Sequence, residues 1–229
     1  MKPNRITSAG TAADRSTQPK LQRPAKLLPN PMLPAVVFGK LRPIPFSTPM
    51  VQAILEGRKT QTRRTKGFAG VTNIYGMSED KTCVIADFTT VGIEIKKSRL
   101  LCPYQIGDIL WVRETWQKRS EKALAMGFEK YFYKAGWEGC TDAGWKPSIF
   151  MPKDACRIFL KIKNIRAEKL QNISEADAKA EGTILPYPFD DNATHKIAFY
   201  NLWKDINGLE SLGNNPFVWV IEFERCVHP

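Results

Sequence analysis

The stretch with the most chemically useful side chains is Glu56–Arg64, which runs EGRKTQTRR. Lys59 can act as the base that activates Thr62, because a hydroxyl is a weak nucleophile without a base beside it. Alternatively, the cations of this stretch can hold phosphate groups, with hydrogen bonds added by the hydroxyls. A solvated basic loop would have the same composition, so the residue types alone leave these alternatives open. The four candidate phosphate-binding cations are Arg58, Lys59, Arg63 and Arg64.

A second candidate site is the stretch GDILWVRETW at 107–116, in which Glu114 stands between Trp111 and Trp116. A carboxylate among aromatic rings suits a pocket that stacks a base and accepts a hydrogen bond from its amino group. Glu114 is equally compatible with a strand residue that pairs with a nearby lysine or arginine. The sequence leaves both interpretations of Glu114 open.

The spacing of Lys59 and Thr62 sets a geometric condition on the catalytic hypothesis. Positions three apart lie on the same side of a helix but on opposite faces of an ideal strand. We therefore expect the two side chains to converge only if a turn precedes any strand here. Gly57 can end the preceding helix and begin such a turn.

The elements that must position these residues are short. A helix is predicted with Thr48 as N-cap and Pro49 at its first position, ending at Gly57. Ser174-Glu175-Ala176-Asp177 predicts a second helix that ends at Gly182. The remaining elements expected to surround the site are a strand at 157–163, a final strand at 216–224, and a helix carrying Phe199, Leu202, Trp203 and Ile206. Because strands outnumber helices, we expect an α+β fold: a mixed β-barrel or strongly bent sheet with short helices packed around it.

Charge and proline divide the chain into a tail and a domain. The 229 residues carry a formal charge of +11, which makes a polyanion such as nucleic acid the first partner to consider. Residues 1–40 hold seven basic residues, one acidic residue and six prolines. They predict a disordered basic tail, which either adds nonspecific affinity for nucleic acid or does nothing. The domain is expected at 41–229, with an insertion at about 117–150.

Composition also excludes several classes of protein. No apolar run reaches the length of about 20 residues that a membrane-spanning helix needs. The five cysteines form no C-x-x-C pair, and His195 and His228 are the only histidines. We therefore expect no metal site and no cofactor, and we expect the cysteines to be free thiols. The protein is expected to be cytoplasmic, without a secretory signal or a membrane partner.

The motif Gly57-x-Lys59-x-x-Thr62-x-Arg64 resembles the G-x-K-x-x-[E/T]-x-R motif of the ASCH domain, a relative of the PUA RNA-binding barrel. Four further blocks resemble the longer, phage- and bacterium-associated ASCH proteins in the same order. The resemblance covers residues from about 45 to 224 and implies a PUA-like mixed β-barrel. The five blocks are FSTPMVQAILEGRKTQTRR (46–64), GDILWVRETW (107–116), KPSIFMPKDACRI (146–158), ISEADAKAEG (173–182) and NPFVWVIEFE (215–224).

The resemblance extends to the N4-acetylcytidine amidohydrolases, a branch that removes an acetyl group from a modified nucleoside. By motif, it implies that the catalytic residues are Lys59, Thr62 and Glu181. Many ASCH domains have glutamate at the position of Thr62 and so lack this nucleophile. The resemblance therefore implies a protein that acts on RNA or modified nucleosides. The expected reaction is hydrolysis of the amide bond that holds the acyl group of N4-acetylcytidine or a similar base. The 107–116 block and the 117–150 insertion have no close counterpart in that branch.

Two other functions compete with the hydrolase. The same basic cleft can serve a binding module for RNA or nucleotides that has no catalytic activity. A ribonuclease is a third possibility, but His195 and His228 both lie far from the motif in sequence, so the usual pair of histidines is missing there. The sequence does not define the oligomeric state.

Overall fold

The computed structural model describes residues 39–89, 95–139, 144–185 and 193–227. The predicted tail at 1–40 lies almost wholly outside these residues. The described part contains the strands β1 (Leu41–Pro45), β2 (Gln61–Arg64), β3 (Val71–Met77), β4 (Cys83–Thr89), β5 (Ile95–Leu101), β6 (Ile109–Arg113), β7 (Trp116–Lys118), β8 (Tyr131–Tyr133), β9 (Phe159–Lys169) and β10 (Phe217–Cys226). Its helices are α1 (Thr48–Leu55), α2 (Glu121–Ala125), α3 (Glu175–Ala180), α4 (His195–Asn207) and α5 (Leu209–Gly213).

These elements form an α+β fold, as the sequence predicts. The largest sheet has the order β1-β6-β9-β10-β2, in which β1 and β6 are parallel and the other pairs are antiparallel. A second sheet has the order β3-β4-β5, and β7 pairs with β8 inside the predicted insertion. A single-turn helix at Ser148–Phe150 ends the insertion, and a second at Lys153–Ala155 follows it.

Within the described residues the large sheet is open and does not close into a barrel, which was one of the two predicted architectures. Its edges are β1 and β2. The backbone N–H of Phe46 donates to Arg113 of β6. Because backbone N–H groups alternate in direction along a strand, the backbone nitrogens of Pro43 and Pro45 face away from β6, at the outer edge of the sheet. Proline has no N–H and cannot donate to a further strand. The two edges meet through a side chain instead: Arg64 of β2 donates to the carbonyl oxygen of Pro45 at 2.9 Å.

Both faces of β10 are buried, and its alternating residues supply two cores. Trp219 and Ile221 point into the main core, which also contains Val51 of α1 and Val84 of β4. Val218 and Val220 point the other way, against α3 and α4. The continuous apolar run of the last strand reflects this burial on two sides. As a result, α3 and α4 are held against the edge of the sheet that carries β2.

The ends of the predicted helices agree closely with the structure. The first helix begins one residue earlier than predicted: Ser47 is the N-cap and Thr48 is already helical. Proline is tolerated at either of the first two positions, because neither N–H has a partner within the helix. Ser174 caps α3 as predicted, and its hydroxyl accepts a hydrogen bond from the backbone N–H of Asp177.

Candidate functional site

The site begins where the chain leaves α1. Gly57 adopts φ +76°, a left-handed conformation that favours glycine and turns the chain out of the helix. The backbone N–H of Lys59 then donates to Ala53 at 3.0 Å, and that of Thr60 donates to Ala180 at 2.9 Å. This turn precedes β2, as the catalytic hypothesis requires, and it seats residues 59–60 against the end of α3.

Lys59 and Glu181 form the centre of the site. Lys59 Nζ lies 2.7 Å from Glu181 Oε2 and 2.9 Å from the Glu181 carbonyl oxygen, and the two residues also form an isolated antiparallel bridge. Both are buried, with 2% and 4% of their surface exposed. Burial lowers the pKa of Lys59 because it disfavours the charged form. Glu181 opposes that shift, whereas the positive charges of Arg64 and Arg63 add to it.

Gly182, which the sequence predicts only as the end of a helix, allows this close contact. It adopts φ +84°. A Cβ at this position would lie 2.8 Å from the Cβ of Ala53 and 2.9 Å from the Cβ of Lys59. Glycine is therefore required here both by the backbone conformation and by the approach of α3 to the Lys59 turn.

Arg63 holds the other oxygen of Glu181. Its Nη1 lies 3.0 Å from Glu181 Oε1, and its Nη2 lies 2.7 Å from Glu168 Oε1 and 3.6 Å from Asp177 Oδ2. The guanidinium also lies 5.5 Å from the centre of the Phe199 ring. Three carboxylates surround this buried cation, so Arg63 belongs to an internal ionic network rather than to a surface that awaits phosphate.

Arg166 extends this network along β9 and β10. It forms ion pairs with Glu168, Asp177 and Glu222. Arg63 and Arg166 thereby share two carboxylates, those of Glu168 and Asp177. The network fixes α3, and with it Glu181, relative to β2.

Thr62 lies on β2, where it pairs with Ile221 of β10 and is 3% exposed. It lines a pocket of about 300 Å³ between β2, the loop before β6, α3 and α4. The pocket lining includes Thr62, Arg63, Arg64, Tyr104, Glu181, Phe199 and Trp203. Thr62 and Glu181 thus share one pocket. Lys59 contacts Glu181 but does not line this pocket. Within the described residues, Lys59 Nζ donates to Glu181 and not to the Thr62 hydroxyl.

Arg64 follows Thr62 at the alternate position of β2, so the two side chains share a face of the strand. Its Nη2 donates to the Pro45 carbonyl oxygen, and its guanidinium lies 5.2 Å from the centre of the Phe46 ring. The Lys59 ammonium contacts the same ring at 5.6 Å. Two cations of the motif therefore meet at one aromatic side chain beside the pocket.

The other predicted site residues lie outside the lining of this pocket. Arg58 bonds to Glu56 and to the carbonyl oxygen of Gly182. Trp111 contacts Arg113, and Trp116 is buried in a small cluster with Met151 and Ala155. The lining was also incompletely predicted: Tyr104 was not singled out, and Phe199 and Trp203 were expected only to lie on a helix.

Glu114 forms an ion pair, as in the second of the two interpretations of this residue. Arg157 Nε and Nη2 each lie 2.9 Å from one of its carboxylate oxygens. Arg157 also donates to the Ala135 carbonyl oxygen and lies 4.0 Å from the centre of the Tyr133 ring. Burial raises the pKa of Glu114, and Arg157 opposes that shift. The pair joins the β6 end of the sheet to the 117–150 insertion.

The described residues contain no group of three or more histidine, cysteine or acidic residues that could hold a metal ion. The helices present in these ranges include none that is both long and apolar enough to cross a membrane. The four cysteines in the described part, Cys83, Cys102, Cys156 and Cys226, are free thiols.

Comparisons with known proteins identify no relative. No protein-family model matches the chain. Searches of curated proteins and of solved structures also find no match.

Proposed function

We propose that this chain is an ASCH-type protein that acts on modified nucleosides or RNA, and that it hydrolyses the N4-acyl amide of acetylcytidine or of a similar base. The resemblance of five sequence blocks supports the family, and we propose the open sheet as a variant of the PUA-like barrel. One observation carries the chemical proposal. A buried lysine with a lowered pKa is held by Glu181, which lines the same pocket as Thr62.

The proposed reaction begins at Thr62. Its Oγ attacks the acetyl carbonyl carbon, and Lys59 in its neutral form accepts the hydroxyl proton. The bond from that carbon to the exocyclic nitrogen breaks, and the nitrogen leaves as the amine of cytidine after protonation from the Lys59–Glu181 pair. Water then hydrolyses the acetyl ester on Thr62 and releases acetate. Each step needs only water and groups of the site.

The lowered pKa of Lys59 is what makes this lysine suitable as a base. An ordinary lysine is almost wholly protonated at neutral pH and cannot accept a proton. Burial raises the fraction of Lys59 that is neutral, and the nearby arginines act in the same direction. Glu181 holds Nζ at a fixed place and thereby determines which group the lysine can reach.

A binding module without catalytic activity is the second candidate, and one observation favours it. Lys59 donates to both the carboxylate and the carbonyl oxygen of Glu181, rather than to Thr62. In this case the Lys59–Glu181 pair would be a structural ion pair. The pocket would then hold a nucleotide through Arg64 and aromatic side chains without cleaving it.

The test is incubation of the full chain with N4-acetylcytidine, with release of cytidine followed by chromatography. We expect turnover, and we expect Thr62→Ala to reduce it by roughly 10³-fold or more, the scale associated with loss of a nucleophile. Thr60→Ala is the matched control, because Thr60 is exposed and lies two residues away. Turnover that survives Thr62→Ala would overturn the mechanism. Nucleotide binding without turnover would establish the binding module instead.

A further inference from the structure

The cations of the Arg58–Arg64 segment are unequally neutralised. Arg63 contacts three carboxylates, Lys59 contacts Glu181, and Arg58 contacts Glu56. Arg64 differs: within the described ranges, no carboxylate forms an ion pair with it. Its hydrogen bond goes to the neutral carbonyl oxygen of Pro45. Arg63 and Arg64 both line the pocket. Of these two cations, only Arg64 lacks a counter-ion among the described residues.

The surroundings of Arg64 make this unpaired charge costly. The side chain packs against the Phe46 ring, and burial lowers its pKa, with Tyr104 and Glu181 opposing the shift. A partly desolvated cation without a counter-ion is destabilising unless an anion is supplied. Guanidinium groups bind phosphate through two parallel hydrogen bonds, and such charge-assisted bonds are among the strongest in proteins.

Tyr104 supplies a second hydrogen-bond donor in the same pocket. It lies in the loop between β5 and β6 and lines the pocket with Arg64. Within the described part of the chain, its hydroxyl makes no hydrogen bond. Burial raises the pKa of Tyr104, so the hydroxyl keeps its proton at neutral pH and can donate to an anion.

We propose that Arg64 and Tyr104 form a phosphate subsite, so that the pocket takes a phosphorylated nucleoside in preference to the neutral nucleoside. This inference rests on the proposed function and names its substrate class. Thr62 and Arg64 are two residues apart on one strand face, which separates them by about 7 Å. The amide end of the substrate would lie at Thr62 and its phosphate at Arg64.

The test measures binding, so it does not depend on turnover. Full-length protein is titrated calorimetrically with cytidine, with cytidine 5′-monophosphate and with a short cytidine-containing RNA. We expect the monophosphate to bind at least about tenfold more tightly than cytidine, because charge-assisted hydrogen bonds are lost without the phosphate. Added salt is expected to weaken binding of the monophosphate but not of the nucleoside. A gain seen for the RNA and not for the monophosphate would assign the subsite to an internucleotide phosphate.

Variants locate the effect. Arg64→Gln is expected to abolish the preference for the monophosphate, Arg64→Lys to retain part of it, and Tyr104→Phe to reduce it about two- to fivefold. Lys163→Gln is the matched control, because it removes one positive charge from an exposed pair with Glu224. Melting curves establish that each variant folds. Equal affinity for cytidine, its monophosphate and the RNA, or a phosphate preference that survives Arg64→Gln, would overturn the subsite. A phosphate preference without hydrolysis of acetylated ligands would overturn the proposed reaction and support the subsite.

Discussion

Lys59 and Glu181 are 122 residues apart in the chain, yet they are joined by a backbone bridge, by an ion pair of 2.7 Å and by a bond from Nζ to the Glu181 carbonyl oxygen. The turn after α1 and the end of α3 are therefore a single unit. Neither half can move without disturbing the other. Because Glu181 also lines the pocket beside Thr62, this unit connects the packing of the fold to the proposed chemistry.

Replacing Gly182 with alanine is expected to separate the two halves of this unit. The positive φ alone costs a non-glycine residue about 1–2 kcal/mol. The new Cβ would also meet the Cβ atoms of Ala53 and Lys59 at less than 3 Å, and such overpacking adds about 1–3 kcal/mol. Denaturant unfolding measures the loss of stability.

Gly136→Ala is the matched control for this prediction. Gly136 has φ +80°, but a Cβ there would meet no atom within 4 Å, so only the backbone term applies. We expect Gly182→Ala to be the more destabilising change and also to reduce amide hydrolysis. Equal losses of stability in the two variants would contradict the close contact of Gly182 with Lys59.

Arg63→Met is expected to destabilise the protein by about 1–3 kcal/mol, because the buried Glu181 carboxylate then keeps only Lys59, while Glu168 and Asp177 keep only Arg166. The side chain of Arg63 is fully buried among Glu168, Asp177 and Glu181. Arg63→Lys retains the charge and should cost less. Lys163→Met breaks an exposed pair and serves as the control, with little effect on the free energy of unfolding. If Arg63→Met left the free energy of unfolding unchanged, the ionic network would not contribute to stability.

Local features of the sequence predicted the elements of this site well. The end of α1 at Gly57, the Ser174 cap of α3 and the apolar last strand depend on neighbouring residues, so their patterns are visible in the sequence. The partners of Arg63 are different: Glu168 comes from β9 and Asp177 from α3. Only tertiary packing brings them to β2, and no local pattern indicates that Arg63 has carboxylate partners while Arg64 has none among the described residues.

The family resemblance implied a mixed β-barrel, and the large sheet of the described residues does not close into one. Pro43 and Pro45 lie on the outer edge of β1, where they supply no backbone donor for another strand. Both prolines are visible in the sequence. Which edge they face depends on the register of β1 against β6, which the sequence does not specify.

Glu114→Ala is expected to lower stability without changing ligand affinity. Glu114 is 1% exposed and forms a two-bond pair with Arg157, whose side chain is 35% exposed. Because Arg157 can recover some hydration, we expect a cost of about 2–3 kcal/mol, below that of a fully buried pair. A double-mutant cycle with Arg157→Ala isolates the coupling between the two side chains. Weaker nucleotide binding with unchanged stability would instead assign Glu114 to the substrate site.

The pH dependence of hydrolysis tests whether Lys59 is the base. The pKa of Lys59 lies below its ordinary value of 10.5 in the folded protein. The rate, measured as kcat/KM, should therefore rise with pH to a midpoint below 10.5. Between the lowered pKa and 10.5, Lys59 is neutral in the folded protein and protonated in the unfolded chain, so unfolding takes up a proton. The contribution of Lys59 to the free energy of unfolding should therefore increase with pH up to 10.5, and it should decrease as pH falls through the lowered pKa.

Glu181→Gln tests how the charge of Glu181 affects the pKa of Lys59. The negative charge of Glu181 raises the pKa of Lys59, in opposition to burial. Its removal should therefore shift the rising limb of the pH profile to still lower pH, even though the rate itself falls because Lys59 loses its positioning contact. Lys163→Gln should leave the midpoint where it is, since that lysine is exposed and paired with Glu224. A midpoint that does not move in Glu181→Gln, or that moves to higher pH, would exclude Lys59 as the group that accepts the Thr62 proton.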